Sequence, residues 1–357
     1  MVRKILIAFL IGGIGGWIFS LVHTPIPWTL GPLVSIAIAK MGFKREIYWP
    51  GQIRNIGMVI LGYMMGRSFT PETGYEILTL FPILVIVTLV NVGISLLAGL
   101  IIGRFTGLSL ATSFFGSLPA GLNQTTTICE DIEGADVGAI TLMQTIRVLT
   151  VVFTVPFLAF HALSDKVDRV LTVANQFDLY DFGSLVIYFL VIAIILVVVG
   201  KFLKMTGALF TILPLVITAV FVLSGMDAPP LPSGIVKLAQ IFVGIRIGSS
   251  INISTLTNWK RIAIFSFLSI LGILVVFSGI DLLLTRIAPI TFLTAFISTA
   301  PGGMAEMGLT AMMLQADLST VIAFQLFRLM FVLLVAIPAV RWGLIQYRRR
   351  QTREFHT

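Results

Sequence analysis

The chain of 357 residues is 57% hydrophobic and 11% charged, with a mean hydropathy of +1.03, whereas an ordinary soluble domain carries about 25% charged residues. Apolar runs recur from one end to the other, which excludes a soluble fold and makes the bilayer the solvent for the whole molecule. The net charge of +8 does not indicate nucleic acid, because Arg3 and Lys4 precede the first apolar run and Arg348, Arg349, Arg350 and Arg353 follow the last, where positive-inside flanks belong, and no soluble segment carries a basic stripe with aromatics.

Taken in chain order, and at about 1.5 Å rise per residue across about 30 Å of hydrocarbon, the apolar runs predict helices over roughly 4–22, 26–41, 52–68, 76–103 and 137–162. A second set follows over roughly 183–203, 208–225, 234–250, 262–285 and 318–342. The first run resembles a signal peptide in its basic start, but it lacks a small-residue cleavage site and another apolar run follows, so it reads as a retained helix. Between the last two runs of each set lie 107–133 and 291–315, moderately apolar and interrupted by Pro, Gly and polar residues. Cys129 is alone and His23, His161 and His356 are scattered, so no disulfide within the chain, metal site or cofactor is expected.

The two sets share landmarks at a nearly constant offset. Pro32-Leu33-Val34 returns as Pro214-Leu215-Val216, Gly62 and Gly66 return as Gly244 and Gly248, Pro119-Ala-Gly121 returns as Pro301-Gly-Gly303, and Pro156 returns as Pro338, all 182 positions on. Gln144 and Arg147 return as Gln325 and Arg328, one position short of that. Because the matches are Pro, Gly, Gln and Arg in order rather than generic apolar residues, they predict a tandem duplication. The expected organisation is an N-terminal transmembrane repeat over 1–165, a linker over 166–182, a C-terminal repeat over 183–345 and a basic cytoplasmic tail over 346–357.

If each broken segment is a re-entrant hairpin, a half has five crossings and the halves are inverted; if each crosses fully, a half has six and they are parallel. Loop charges barely separate these, and both keep the two termini cytoplasmic. The hairpin is preferred because 107–133 divides at Pro119 into arms of about half a membrane each. The fold class read from the sequence is therefore an all-α polytopic membrane protein of two tandem, inverted repeats, each with about five transmembrane helices and one Pro/Gly-broken re-entrant hairpin.

Polar residues gather at the broken segments. Pro119 lacks an N–H and Gly121 accepts unusual dihedrals, so the chain can turn there and present main-chain dipoles, followed by Asn123, Gln124, Thr125, Thr126 and Thr127. Free N–H groups with amides and hydroxyls suit an anionic group; the alternative is an ordinary kink whose threonines bond back to their own helix. Glu306 stands at the position equivalent to Gln124. Gln144 with Arg147, and Gln325 with Arg328, are three apart on one helix face and could fork onto a carboxylate or phosphate. They could equally tie down the hairpins, through hairpin carbonyls or an acid such as Glu306. Ionisable groups inside a membrane are rare and face cavities or partners, which singles out Glu306, Arg147 and Arg328.

Glu130, Asp131, Glu133 and Asp136 read as a solvated interfacial loop, with ion coordination as the alternative, and Asp136 and Asp317 as helix N-caps. The GxxxG pairs read as close helix packing. Arg246 has no charged counterpart, since Met64 stands opposite it.

Together, Pro119-Ala-Gly-Leu-Asn-Gln-Thr, the acidic run ending at Asp136, Gln144-x-x-Arg147 and Pro301-Gly-Gly-Met-Ala-Glu-Met resemble the bacterial AbrB-type duplicated membrane proteins across the whole chain. That family is distinct from the small soluble DNA-binding AbrB transition-state regulator, and its members have carried labels of ammonia monooxygenase and regulator of gene expression. The pattern is also similar, more distantly, to broken-hairpin secondary transporters of organic anions.

The expected function is secondary transport, not catalysis, of a small anionic or zwitterionic solute by alternating access, in the inner (cytoplasmic) membrane. The expected substrate-binding residues are Asn123, Gln124, Thr125, Thr126, Gln144, Arg147, Gly302, Gly303, Glu306, Gln325 and Arg328, with Pro119, Gly121, Pro301 and Gly302 at the hairpin tips. Besides the solute and lipid, the partners this reading allows are a coupling proton or sodium ion and a second copy of the chain, with no nucleic acid. Glu306 is the candidate proton carrier. An intramembrane oxidoreductase would want clustered histidines and carboxylates, and a membrane sensor acting on gene expression would want an output domain that the connection over 163–182 is too short to hold.

Overall fold

The computed structural model describes residues 2–43, 46–120, 134–163, 180–202, 209–250 and 258–354, and the regular elements among them are all helical. They run α1 (Val2–Leu21), α2 (Pro27–Met41), α3 (Gly51–Gly66), α4 (Pro71–Thr106), α5 (Leu110–Ser117) and α6 (Val137–Leu158), the last continuing into a π-helical turn over Ala159–Leu163. There follow α7 (Tyr180–Phe202), α8 (Leu209–Leu223), α9 (Ser233–Ser250), α10 (Trp259–Ile287), α11 (Phe292–Thr299), α12 (Met304–Met313) and α13 (Leu318–Phe331), which passes through a π-helical stretch, Val332–Ala336, into α14 (Ile337–Glu354). The helix bounds of α2 and α8, and of α5 and α11, coincide under the 182-residue offset.

Among the described residues six helical stretches are long and apolar enough to cross a membrane: Val2–Leu21, Ile77–Thr106, Val137–His161, Gly183–Gly200, Trp259–Ile287 and Leu318–Gln346. Their large side chains are freely exposed on one side, as with Leu6, Leu10, Ile14 and Trp17 on α1, Ile187, Leu190 and Ile194 on α7, and Ile264, Leu268 and Val275 on α10. Faces of that kind are tolerated in lipid and not in water. The remaining apolar runs of the sequence, α2, α3, α8 and α9, form helices of 15 to 18 residues, shorter than the roughly 20 residues of a typical span. They pair closely with one another, so the backbone groups at their ends need not reach lipid. The basic C-terminal segment is also helical, to Glu354.

The chain forms two compact units, and each draws on both halves of the sequence. The first comprises Met1–Thr79, Phe153–Ile251 and Met304–Ile322; the second comprises Leu80–Val152, Asn252–Gly303 and Ala323–Thr357.

In the first unit glycines set the packing. A Cβ on Gly62 or Gly66 of α3 would collide with the carbonyl oxygen of Thr211 or Leu215 on α8, and a Cβ on Gly244 or Gly248 of α9 would collide with that of Thr29 or Leu33 on α2. Each contact of one pair has its counterpart 182 residues on in the other. The GxxxG pairs therefore act as the close-approach surfaces their spacing predicts. Side-chain to main-chain bonds fix the ends: Tyr63 donates to the Pro229 carbonyl at 2.8 Å, Trp49 Nε1 to that of Phe242 at 3.0 Å, and Arg246 to that of Trp49 at 3.3 Å.

The second unit is built on α4, α6, α10 and α13–α14 around the short helices α5 and α11. Its core joins Val92, Phe115, Leu118 and Ile140 to Val332, Ala336 and Ile337. A second cluster joins Ile102, Ala139 and Met143 to Ile262.

Candidate functional site

The first helical arms of the two broken segments begin and end alike. Ser109 caps α5 by accepting from the N–H of Thr112 at 3.1 Å, and Thr291 caps α11 by accepting from that of Thr294 at 3.2 Å, which satisfies donors a helix start leaves orphaned. Both helices stop after eight residues at a proline. Ala120 N–H bonds back to the Leu118 carbonyl and Gly302 N–H to the Ala300 carbonyl, each at 2.8 Å, making three-residue turns centred on Pro119 and Pro301. The chain then leaves the helical path with its last carbonyls unpaired, and buried carbonyls need donors.

The Gln-x-x-Arg pairs supply them. Gln144 Nε2 donates to the carbonyls of Phe115 and Leu118, each at 3.0 Å, and Arg147 donates to those of Leu118 and Ala120. On the second segment Gln325 Nε2 donates to the carbonyls of Ile297 at 3.0 Å, Ser298 at 3.2 Å and Ala300 at 3.1 Å. Arg328 donates to the carbonyls of Thr299, Ala300 and Gly302 and to Oε1 of Gln325. All four side chains are buried. A positive fork at the C-terminal end of a helix also meets the negative end of its dipole. Of the two roles open to these arginines, the bonds seen are those of a hairpin clamp. Each guanidinium nevertheless keeps a buried Nε without a partner, and so does Oε1 of Gln144.

The first clamp, through Arg147, borders a small cleft within the second unit. Its polar lining is Ser95 of α4, Ser117 at the end of α5, Arg147, and Ser266 and Ser269 of α10, with Pro301 from the other tip. The cleft thus brings together two of the residues singled out from sequence, Arg147 and Pro301, beside Ser117, which opens the first tip. Gln144, Gln325 and Arg328 are buried clamps outside its lining, and Gly302 and Gly303 continue the second tip. Glu306 is buried on α12, in the first unit, where it interacts electrostatically with Arg54 of α3. Gly121, Asn123, Gln124, Thr125 and Thr126, like Glu130, Asp131 and Glu133, lie outside the described residues. Asp136 caps α6 by accepting from the N–H of Ala139 at 3.0 Å, and Asp317 caps α13 through those of Ser319 at 3.1 Å and Thr320 at 3.2 Å.

Several polar groups of the second unit escape a search for recurring residues. Asp281 of α10 is fully buried inside the apolar stretch Trp259–Ile287, and Asn91 of α4 is buried beside it in the same network. Asp281 stands opposite Gly99 and Asn91 opposite Ile273 at the offset, so comparison of the halves passes over both. The rarity of an acid in a long apolar run is the signal that finds Asp281.

Fold and cleft together define a polytopic helical membrane protein with two proline-broken segments, each tied by a buried amide and guanidinium. Residues 28–343 match the family model described as "Transition state regulatory protein AbrB", and the chain belongs to that family. A Bacillus subtilis (strain 168) protein named "Uncharacterized protein YhjN" is 27% identical over 350 residues, covering 93% of this chain and 91% of its own. An Escherichia coli (strain K12) protein named "Putative regulator AbrB" is 28% identical over 326 residues, covering 90% of this chain and 91% of its own. No solved structure matches the chain.

Proposed function

We propose that this protein is a secondary transporter of a small anionic or zwitterionic solute, multi-pass in the inner membrane with both termini cytoplasmic. The supporting observation is the cleft, where α5 ends at Ser117 beside Arg147, with Ser95, Ser266, Ser269 and Pro301 of the second broken segment around them. Irregular backbone at membrane depth is stable only when buried in protein or lining a wet cavity, and duplicated, broken segments mark the binding region of many transporters. The serines supply hydroxyls that can donate or accept, and Arg147 supplies positive charge. In this reading the 182-residue correspondence is a tandem duplication, the protein is not an enzyme, and a second copy of the chain pairs with it through exposed apolar helices.

A thermal-shift screen of the purified protein against organic acids, amino acids and phosphonates tests the assignment, repeated on Ser266→Ala and Ser269→Ala. These variants remove cleft hydroxyls without touching the clamps. A ligand that stabilises the parent and loses its effect in the serine variants, and that then crosses proteoliposome membranes, supports transport; equal stabilisation of all three proteins moves the site elsewhere.

The second reading is a membrane sensor that alters gene expression indirectly, favoured by the name of the Escherichia coli relative. A cleft variant that no longer moves the solute yet still regulates would favour it.

A further inference from the structure

The transport reading leaves one buried acid of the second unit unused. Asp281 is 0% exposed, and among the described residues both carboxyl oxygens have a single partner, the Thr299 hydroxyl, at 3.0 and 3.1 Å. Among the described residues no cation pairs with it. An ionised carboxylate in that setting would be an uncompensated charge in apolar surroundings, a costly arrangement that a bound proton removes.

A second observation points to the same place. Asn91, 1% exposed, donates Nδ2 to the Thr299 carbonyl at 3.1 Å, which orients its amide, and its Oδ1 is buried with no hydrogen-bond partner. The network therefore holds an acceptor in want of a donor beside an acid in want of a positive charge. A proton on the Asp281 carboxyl neutralises the acid and adds a donor to a cluster short of one.

The cluster adjoins the cleft on two elements. Asn91 is one helical turn from Ser95 on α4, and Thr299 is two residues before Pro301 at the end of α11; both Ser95 and Pro301 line the cleft. The charged groups around it are few. α11 carries no titratable side chain, α10 has Lys260, Arg261 and Arg286 near its ends, and Arg104 sits in the last turn of α4. From α13, Arg328 donates to the same Thr299 carbonyl, at 3.4 Å, without pairing with Asp281.

We propose that Asp281 is an exchangeable proton-binding site, with Thr299 and Asn91 as its positioning residues. If the transport reading is correct, it is the coupling group. Its cycle is the breaking and remaking of one carboxyl O–H bond, the proton passing to and from water that enters by the cleft.

Infrared difference spectroscopy of the purified full-length protein across a pH titration tests this without any ligand. The parent is expected to show a carboxylic acid C=O band that persists to neutral pH and is lost in Asp281→Asn, whose neutral amide mimics the protonated acid. Should that variant fail to fold, Thr299→Ala serves, because loss of the hydroxyl must shift the band. Absence of the band in the parent, its survival in Asp281→Asn, its loss in Glu306→Gln instead, or an unmoved band in Thr299→Ala overturns the proposal. A failed ligand screen with the band intact would count against transport alone.

Discussion

A guanidinium that reaches three backbone carbonyls cannot be replaced by an ammonium. Arg328 spreads two nitrogens over Thr299, Ala300 and Gly302, a planar fork that the single nitrogen of lysine does not reproduce. Arg328→Lys should therefore destabilise nearly as much as Arg328→Ala. The Thr299 carbonyl keeps Asn91 and the Ala300 carbonyl keeps Gln325, so the group left unpaired is the Gly302 carbonyl, and either change should cost about 1–3 kcal/mol, read as a fall in melting temperature in detergent. Arg147→Ala, which leaves the Ala120 carbonyl without its donor while that of Leu118 keeps Gln144, should cost about as much as Arg328→Ala. Gln325→Glu is a sharper probe: it exchanges a donor shared by three carbonyls for an acceptor, and should be worse than Gln325→Leu. At this scale the sequence was partly legible. The spacing of Gln144 with Arg147 and of Gln325 with Arg328 marks paired polar side chains on one face, but it does not say what they hold, because a carbonyl left over at a helix end has no signature of its own. Asp281 and Thr299, 18 positions apart and on different helices, meet only through the packing of α10 on α11.

At the scale of elements, helix ends and crossings carry the testable consequences. Thr291→Ala removes the cap of α11 and should cost about 1 kcal/mol, as should Ser109→Ala for α5; a denaturant titration would show the two losses to be similar. In the glycine contacts the obstacle is backbone, which yields little. Gly62→Ala and Gly244→Ala should each destabilise by about 1–3 kcal/mol, and Gly93→Ala, where nothing lies within 4 Å of the added atom, should be neutral. A Gly93→Ala loss equal to the others would show that close approach does not govern the series, since alanine is the better helix former. Helix positions were largely readable, since an apolar run bounded by Gly, Pro and charge has few alternatives in a bilayer. Which helices are full spans was not: α2, α3, α8 and α9 are as apolar in part as their neighbours, and their shortness follows from whom they pack against.

For the whole molecule, two compact units interleave halves that are contiguous in sequence. Composition and periodicity report how each segment meets its solvent, but not which segment it meets, so the grouping of Leu80–Val152 with Asn252–Gly303 could not be read from the chain. Membrane residence and orientation are open to direct measurement. The protein should resist carbonate extraction, and a fluorescent reporter fused after Thr357 should mature in the cytoplasm; a reporter active only in an exported form would reverse the topology. Metal analysis of the purified protein should find no stoichiometric metal, and finding one would reopen the oxidoreductase reading.

The glycine crossings link helices encoded far apart: α3 rests on α8, and α9 rests on α2. Neither half of the gene product can complete those contacts by itself. Residues 1–165 and 166–357 translated as two polypeptides should consequently be recovered together from the membrane, each rescuing the other from degradation, and a bulky replacement at Gly62 or Gly244 should weaken that mutual rescue.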